Sequence, residues 1–474
     1  MTAPGPGRQS FAISGHGPAG TRTAATPRRQ VLDIGSFDVH DVRAGSETAF
    51  AGGMLTIDVE ELEERLADDA AFASVRVEIV RPGDSVRVIN AIDAVEPRVK
   101  IEPAGADFSG MLTAPRQVGA GVTHALAGMA VVETALPVPG EPVYWREAIF
   151  DMAGTAAKYS PFSELINVVI SCEPTRDLLD SAGRPHNLFE GTPEAVEYNK
   201  AVRLAGLEAA RYLAGTTRGQ QPDRVDTFDL APLPHRDLPA VVYLYQLAIP
   251  YLHGEIAPGA GAIGGAAHLP TPIHPNELLD GALVCGWNAI ACMRELTYTV
   301  QNHAIIEDLY VRHGQDLDFR GVVLFTNGDT RASKERLANH AAGLAIMMGA
   351  EGALINYAGG GHPAVDAMMI WGQSGAERGA HDDAVDGDGG QSGGIRVRPL
   401  CSGGGRHRQH GQLRGDGLLR RGGAGDRRGF PDRDRRRSGR RIRGAPGHRA
   451  GEHPPVRTYQ HPGRGVLRGN QWPG

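Results

Sequence analysis

Between Phe319 and Gly372 the chain runs through FRGVVLFTNGD, TRASKERLANHAAGLAIMMG, EGALINYAGGG and HPAVDAMMIWG, and no other stretch restricts the fold as tightly. The first and third segments are short apolar runs ended by turn residues, which reads as strands. The second places Leu337, Ala341, Leu344, Ala345 and Met348 on one helical face, with Gly349 positioned to end the helix. Strand, helix and strand joined by short loops imply a right-handed crossover and a parallel sheet. Ligands of such sheets sit beyond the carboxyl ends of the strands. Asn327, Asp329, Tyr357 and the Gly359–Gly361 loop are expected there.

Upstream, PAVVYLYQLAI reads as a further buried strand. PEAVEYNKAVRLAGLEAARYLAG reads as an amphipathic helix through Val196, Ala201, Leu204, Leu207, Ala210 and Leu213, with Thr192 and Glu194 near its start. Before residue 190 the character is different. LDIGSFDVHDVRAG, GGMLTIDV and GMAVVETA are β-branched runs, and VEELEERLADDAAF is one short acidic helix. Val75, Val77 and Ile79 followed by the turn RPGD and by Val86 and Val88 predict a hairpin. The expected fold class is α/β: a β-rich domain over 30–190, then a parallel-sheet α/β domain over 191–373. A disordered leader over 1–29 and a disordered tail over 374–474 flank them.

The tail is set apart by composition. From Ser374 onward there are 21 arginines, 25 glycines, 10 acidic residues and no lysine, giving a charge of +11 against −17 for the rest. Two readings stay open: a basic disordered segment, or an out-of-register translation of a GC-rich gene. On either, the helix begun at His362 is expected to lack its next strand. Nucleic-acid binding through the arginines ranks last among the function classes considered. The four cysteines, at 172, 285, 292 and 401, make no disulfide framework. With no apolar signal segment and no run long enough to span a bilayer, a cytoplasmic protein without a membrane role is expected.

Local motifs settle little by themselves. Gly259, Gly261 and Gly264 form a GxGxxG, but the following GAAHLPTPIHP cannot supply the helix that a dinucleotide fingerprint needs. His253, His268, His274, His303 and His313 show no short ligand spacing, so no metal is expected. Cys285 and Cys292, seven apart, fit small core residues on one helix face as well as a reactive pair.

A longer pattern says more. DGALVCGWNAIAC with LTYTVQNHAIIEDLYVRHG, RPGDSVRVINAIDAVEPRVKIEP, GAGVTHALAGMAVVETA and REAIFDMAGTAAKYSPFSELINVVISCEP together resemble the precursors of component B of the glycine, sarcosine and betaine reductases, with D-proline reductase a more distant relative. The resemblance runs from about Val31 to Ile370. It implies a subunit for reductive deamination of a small amino acid or amine, working with partner subunits that include a selenoprotein, and with a dithiol as reductant.

In that family the chain cuts itself at an Asn-Cys bond and the cysteine becomes a pyruvoyl group that condenses with the substrate amine. Aligned without gaps, that pair falls on Trp287 and Asn288, while Cys292 matches a second family cysteine. Asn288 has no thiol for the acyl shift, so the pyruvoyl group is expected to be absent here and no other cofactor is expected. Cys285, where the family has Ser, leaves a cut after Val284 open. The candidate reactive positions are Cys285, Asn288 and Cys292; the candidate substrate-binding ones are His253, His303, Glu307 and Asp308, with Asn327 and Tyr357 from the carboxyl ends of the strands. The other reading is a paralogue without pyruvoyl chemistry, either a small-molecule-binding subunit or a cysteine-dependent enzyme.

Overall fold

The computed structural model describes residues 29–134, 148–179, 193–233, 238–247, 269–284, 296–326, 328, 330–357, 362–376, 396–401 and 457–459. The first half carries strands β1 (Val31–Asp38), β2 (Asp41–Ala44), β3 (Ala49–Ala51) and β4 (Met54–Ile57), helix α1 (Val59–Ala67), then β5 (Phe72–Val80), β6 (Val86–Val95), β7 (Arg98–Glu102), β8 (Gly121–Ala127) and β9 (Met129–Thr134). It continues with β10 (Ala148–Asp151), α2 (Gly154–Ala157), β11 (Ile166–Pro174), the long helix α3 (Pro193–Gly215) and β12 (Arg224–Asp229). The second half comprises β13 (Ala240–Gln246), β14 (Thr271–Ile273), α4 (Pro275–Leu279), α5 (Thr297–Gln301), α6 (Ala304–Arg312), β15 (Asp318–Phe325), α7 (Arg331–Met347), β16 (Gly352–Tyr357), α8 (His362–Ala376) and β17 (Arg396–Cys401), with a short β18 (Arg457–Tyr459).

The α/β class read from the sequence is the one observed. β13 pairs in parallel with β15 on one side and β16 on the other, in the order β14-β15-β13-β16-β17. Alternation along β13 assigns its two faces. Val242 and Leu244 bury against α7 and α8, whereas Tyr243 and Tyr245 bury with residues of α4 and α6. Helix α7 turns Ala338, Ala341 and Ala345 to the sheet, small residues that let helix and strands approach closely. Its start is closed by reciprocal bonds: Ser333 N donates to Thr330 Oγ1 (3.1 Å) and Thr330 N to Ser333 Oγ (2.9 Å). Gly349, with φ +75°, follows its end as expected.

Two expectations require correction. Helix α8 runs to Ala376 and does receive a following strand, because β17 pairs in parallel with β16. The open edge of β16 offers unpaired backbone groups, and an edge position tolerates Pro399 within the added strand.

The predicted hairpin also fails. The RPGD turn exists, with Gly83 at φ +87° and Arg81 N donating to Asp84 Oδ2 (2.8 Å), but β9 and β11 lie between β5 and β6 in the order β10-β6-β9-β11-β5. β5 and β6 consequently run in the same direction. Val80 is level with Asn167 and Ala130, which puts it beside the far end of β6, where Val95 faces Val131. Val86 lies roughly 30 Å back along β6 at about 3.3 Å per residue, yet the chain from Val80 to Val86 reaches at most about 21 Å. Only strong coiling of the sheet satisfies both. Val80 and Val86 accordingly bury in one apolar cluster with Val132 and Val169.

The opposite face of that sheet, through Val77, Val95, Val131, Val168 and Ile170, is covered by α3, which buries Val202, Ala205, Ala209, Ala210 and Leu213. Among the described residues no helix is long and apolar enough to cross a membrane.

Candidate functional site

Residues 285–295, with Cys285, Asn288 and Cys292, lie outside the described residues, as do His253 and Asn327. What the structure defines is the two flanks of that segment. Its upstream flank is the short helix α4. His274 caps the helix, its Nδ1 accepting from Asn276 N (3.2 Å). Burial pushes the His274 pKa down to about 4, so the ring stays neutral and keeps that acceptor. Asn276 Nδ2 donates to Gly119 O and Phe228 O (both 3.1 Å), tying α4 to the β-rich half. Asp280, just after α4, accepts from Gly119 N (2.8 Å) and is closed by Lys100 Nζ and Thr123 Oγ1, a fully buried ion pair.

The downstream flank is α5. Its first residue, Thr297, donates from backbone N to Asp93 Oδ1 (2.8 Å) and from its hydroxyl to Asp93 Oδ2. Its last, Gln301, accepts from Glu96 N (3.0 Å).

One side chain holds both flanks. Arg98, buried beside Glu96 (Nε to Oε2, 2.7 Å), donates to Leu279 O of α4, and also to Gln301 O (3.3 Å) and Asn302 Oδ1 (3.1 Å) at the end of α5. A guanidinium has five donors in a rigid fork; here Nε goes to Glu96 and the two Nη groups go to α4 and to the end of α5. A buried cation used in this way fixes the separation of the segment's ends.

Asp93 is also part of a second arrangement. It stands directly opposite Glu133 in the antiparallel pairing of β6 with β9, which puts two carboxyls side by side. Glu133 is wholly buried and neither carboxyl oxygen has a hydrogen-bond partner. A Cβ at position 206 of α3 would lie 1.9 Å from Glu133 Oε1, so Gly206 leaves the carboxyl its place on the helix. One turn earlier on α3 is Arg203, also buried, whose Nε and Nη2 make no hydrogen bond. Burial first, then the charge of Asp93, raises the Glu133 pKa well above the ordinary carboxylate range, against the lowering effect of Arg203. Burial raises the Asp93 pKa as well, against the lowering effect of Arg203 and of its three donors, Thr297 N, Thr297 Oγ1 and Ala94 N.

The expected substrate-binding residues that are described stand apart. His303 caps α6 on the Tyr243 face of the parallel sheet, with Nε2 3.3 Å from Tyr243 Oη and its ring edge-on to Tyr245. Burial lowers its pKa to about 4, and its buried Nδ1 has no partner. Glu307 and Asp308 are half-buried on α6. Tyr357 packs on the opposite face with α7 and α8. Cys172 is buried and its thiol is pushed far up, by burial first and by Glu133 next, which makes it inert as a nucleophile. No group of acids, histidines and cysteines among the described residues could hold a metal ion.

Comparison with known proteins decides the family. Residues 30–395 match the profile of the glycine/sarcosine/betaine reductase component B subunits. The chain belongs to that family. It is 36% identical over 344 residues to the glycine reductase complex component B subunits alpha and beta of Acetoanaerobium sticklandii, covering 71% of this chain and 75% of the relative. It is also 36% identical, with the same coverage, to the sarcosine reductase complex component B subunit alpha of Peptoclostridium acidaminophilum. The betaine reductase complex component B subunit alpha of that organism is 31% identical, covering 71% of this chain and 73% of the relative. No solved structure matches.

In this component B chain the clamp residues Asp93, Glu96, Arg98, Lys100 and Asp280, together with Glu133 and Arg203, were not singled out from sequence. The signal was present: VRVINAIDAVEPRVKIEP and GMAVVETA place ionisable side chains inside otherwise apolar strands. A charge in such a run is either at an edge or buried with a purpose.

Proposed function

We propose that this component B chain is the subunit that receives a small amine or amino acid for reductive deamination, at the cysteine-bearing segment between α4 and α5. The observation that carries the reading is the Arg98 clamp, with Lys100–Asp280 and Asp93–Thr297 beside it. Several buried, fully bonded charges are expensive to assemble around a segment with no task, and here they fasten the helices that flank it. In the reaction, the carbon–nitrogen bond of the substrate is cleaved, the amine leaves, and a dithiol supplies two electrons and ends as a disulfide. A selenoprotein acts as the partner at carbon.

The family's pyruvoyl group does not fit the residues present at its aligned position, because Asn288 offers a carboxamide where a thiol must attack the preceding carbonyl. No step is assigned to it. Denaturing mass spectrometry of the intact protein, with and without a hydrazide, tests this point. A single unlabelled chain is expected; two fragments meeting between residues 284 and 289, one hydrazide-reactive, would overturn it. Substrate class is tested separately. Millimolar glycine, sarcosine or betaine should raise the melting temperature, and three flat titrations would remove the small-amine reading.

A further inference from the structure

Three ionisable side chains meet beneath α3 and only one of them is satisfied. Asp93 is closed by its three donors. Glu133, from the neighbouring strand, has two buried oxygens without a donor, and Arg203, from α3, has two buried nitrogens without an acceptor. Unpartnered nitrogens on a buried guanidinium are costly and are retained only where something answers them. Yet Arg203 does not close on either acid, although its charge is felt by both. Unpartnered donors and unpartnered acceptors thus lie within electrostatic reach of each other.

We propose that Arg203 and Glu133 form a binding site for a small zwitterion, the guanidinium taking the carboxylate and Glu133 the ammonium, with Asp93 linking the site to the start of α5. This rests on the reading of the chain as an amine-receiving subunit and adds the groups that recognise the ligand. The match is one of chemistry: a planar fork suits a carboxylate in a two-bond geometry, and a carboxylate accepts from an ammonium. The place suits the reading too, since Asp93 bonds Thr297, the first residue of the helix that leaves the cysteine-bearing segment. The titratable groups around Glu133 are Asp93 on β6, Arg203 on α3 and Cys172 on β11. In the empty site burial and the charge of Asp93 raise the Glu133 pKa. An arriving ammonium favours the carboxylate and lowers that pKa, so binding is linked to proton release.

The test uses the full chain and three probes: glycine, acetate and methylamine, titrated by calorimetry in two buffers of different ionisation enthalpy. Glycine should bind at least tenfold more tightly than either half-molecule, with proton release. Arg203→Lys, which keeps the charge but loses the fork, should weaken glycine and acetate at least tenfold and leave methylamine nearly unchanged. Glu133→Gln should weaken glycine and methylamine, leave acetate nearly unchanged, and abolish proton release. Melting temperatures establish that each variant is folded. Because Gln mimics the protonated acid, Glu133→Gln should melt no lower than wild type. If wild-type protein binds glycine, sarcosine or betaine but both variants bind equally well, the assignment to Arg203 and Glu133 is overturned while the subunit's function stands. If none of these amines binds the wild-type chain, the broader reading fails with it, and the open groups are satisfied by water alone.

Discussion

Two buried charge sites, one in each half of the molecule, use the same kinds of side chain to opposite ends. In the parallel-sheet half, Lys334 on α7 donates to both oxygens of Asp366 on α8 (2.9 and 3.0 Å), fastening the two helices to each other. In the β-rich half, Arg203 and Glu133 are as deeply buried and leave four polar atoms unanswered. A closed pair is a piece of architecture. An open one costs stability, and its retention points to a ligand or a proton as the missing partner.

That contrast can be broken at several points. The largest loss is expected from Asp366→Ala, which strands Lys334 as an unpaired cation and should cost about 3–5 kcal/mol in denaturant unfolding. An apolar pair at both positions should recover most of it. Arg98→Ala should follow at about 3 kcal/mol, since it strands Glu96 and releases Leu279 O and Gln301 O. Its distinctive readout is proteolysis: cleavage between residues 284 and 296 should accelerate well before global unfolding. If cleavage there is unchanged, Arg98 is not the clamp described.

Acid brings the next effect. His303 and His274 have folded pKa values near 4 against an ordinary 6.5, so they give stability that is fully present above 6.5 and lost as the pH falls toward 4. For the fully buried His303 this amounts to about 3 kcal/mol. His303→Phe should flatten that limb of the pH–stability curve, and an unchanged curve would show that the ring takes up its proton without strain.

The last expectation is a gain. The folded pKa of Glu133 is raised, so its contribution is present below about 4.5 and is lost as the pH rises through the folded value. Glu133→Gln should therefore be more stable than wild type at neutral pH, with a margin that grows with pH from about 4.5 upward. A mutant less stable than wild type would mean that the carboxylate is ionised and paired in the empty protein, which would erase the contrast with Lys334–Asp366.

Legibility in the sequence followed the range of the interactions. Helices α3 and α7 and strands β13, β15 and β16 were readable because each buries one face at a regular period, and side-chain period is a property of the local run. The short loops around α7 made the parallel sheet readable as well. The hairpin was misread because RPGD specifies a turn and not a partner: β5 and β6 each found a better neighbour, β11 and β9, in strands far along the chain. The candidate site was half visible. Block resemblance singled out the segment around Cys285 and Cys292, but Arg98, Asp93, Glu133 and Arg203 come from three separated stretches, and no spacing rule connects them.

The sequence by itself thus determined the elements, the α/β class and the family, since periodicity, turn residues and long matching blocks are all written along the chain. Tertiary structure alone decided which strands lie side by side, that one arginine joins the distant helices α4 and α5, and which buried charges are answered. Those outcomes depend on which groups share a desolvated volume, and burial makes a charge's partners a matter of a few ångströms in space, whatever their separation in sequence.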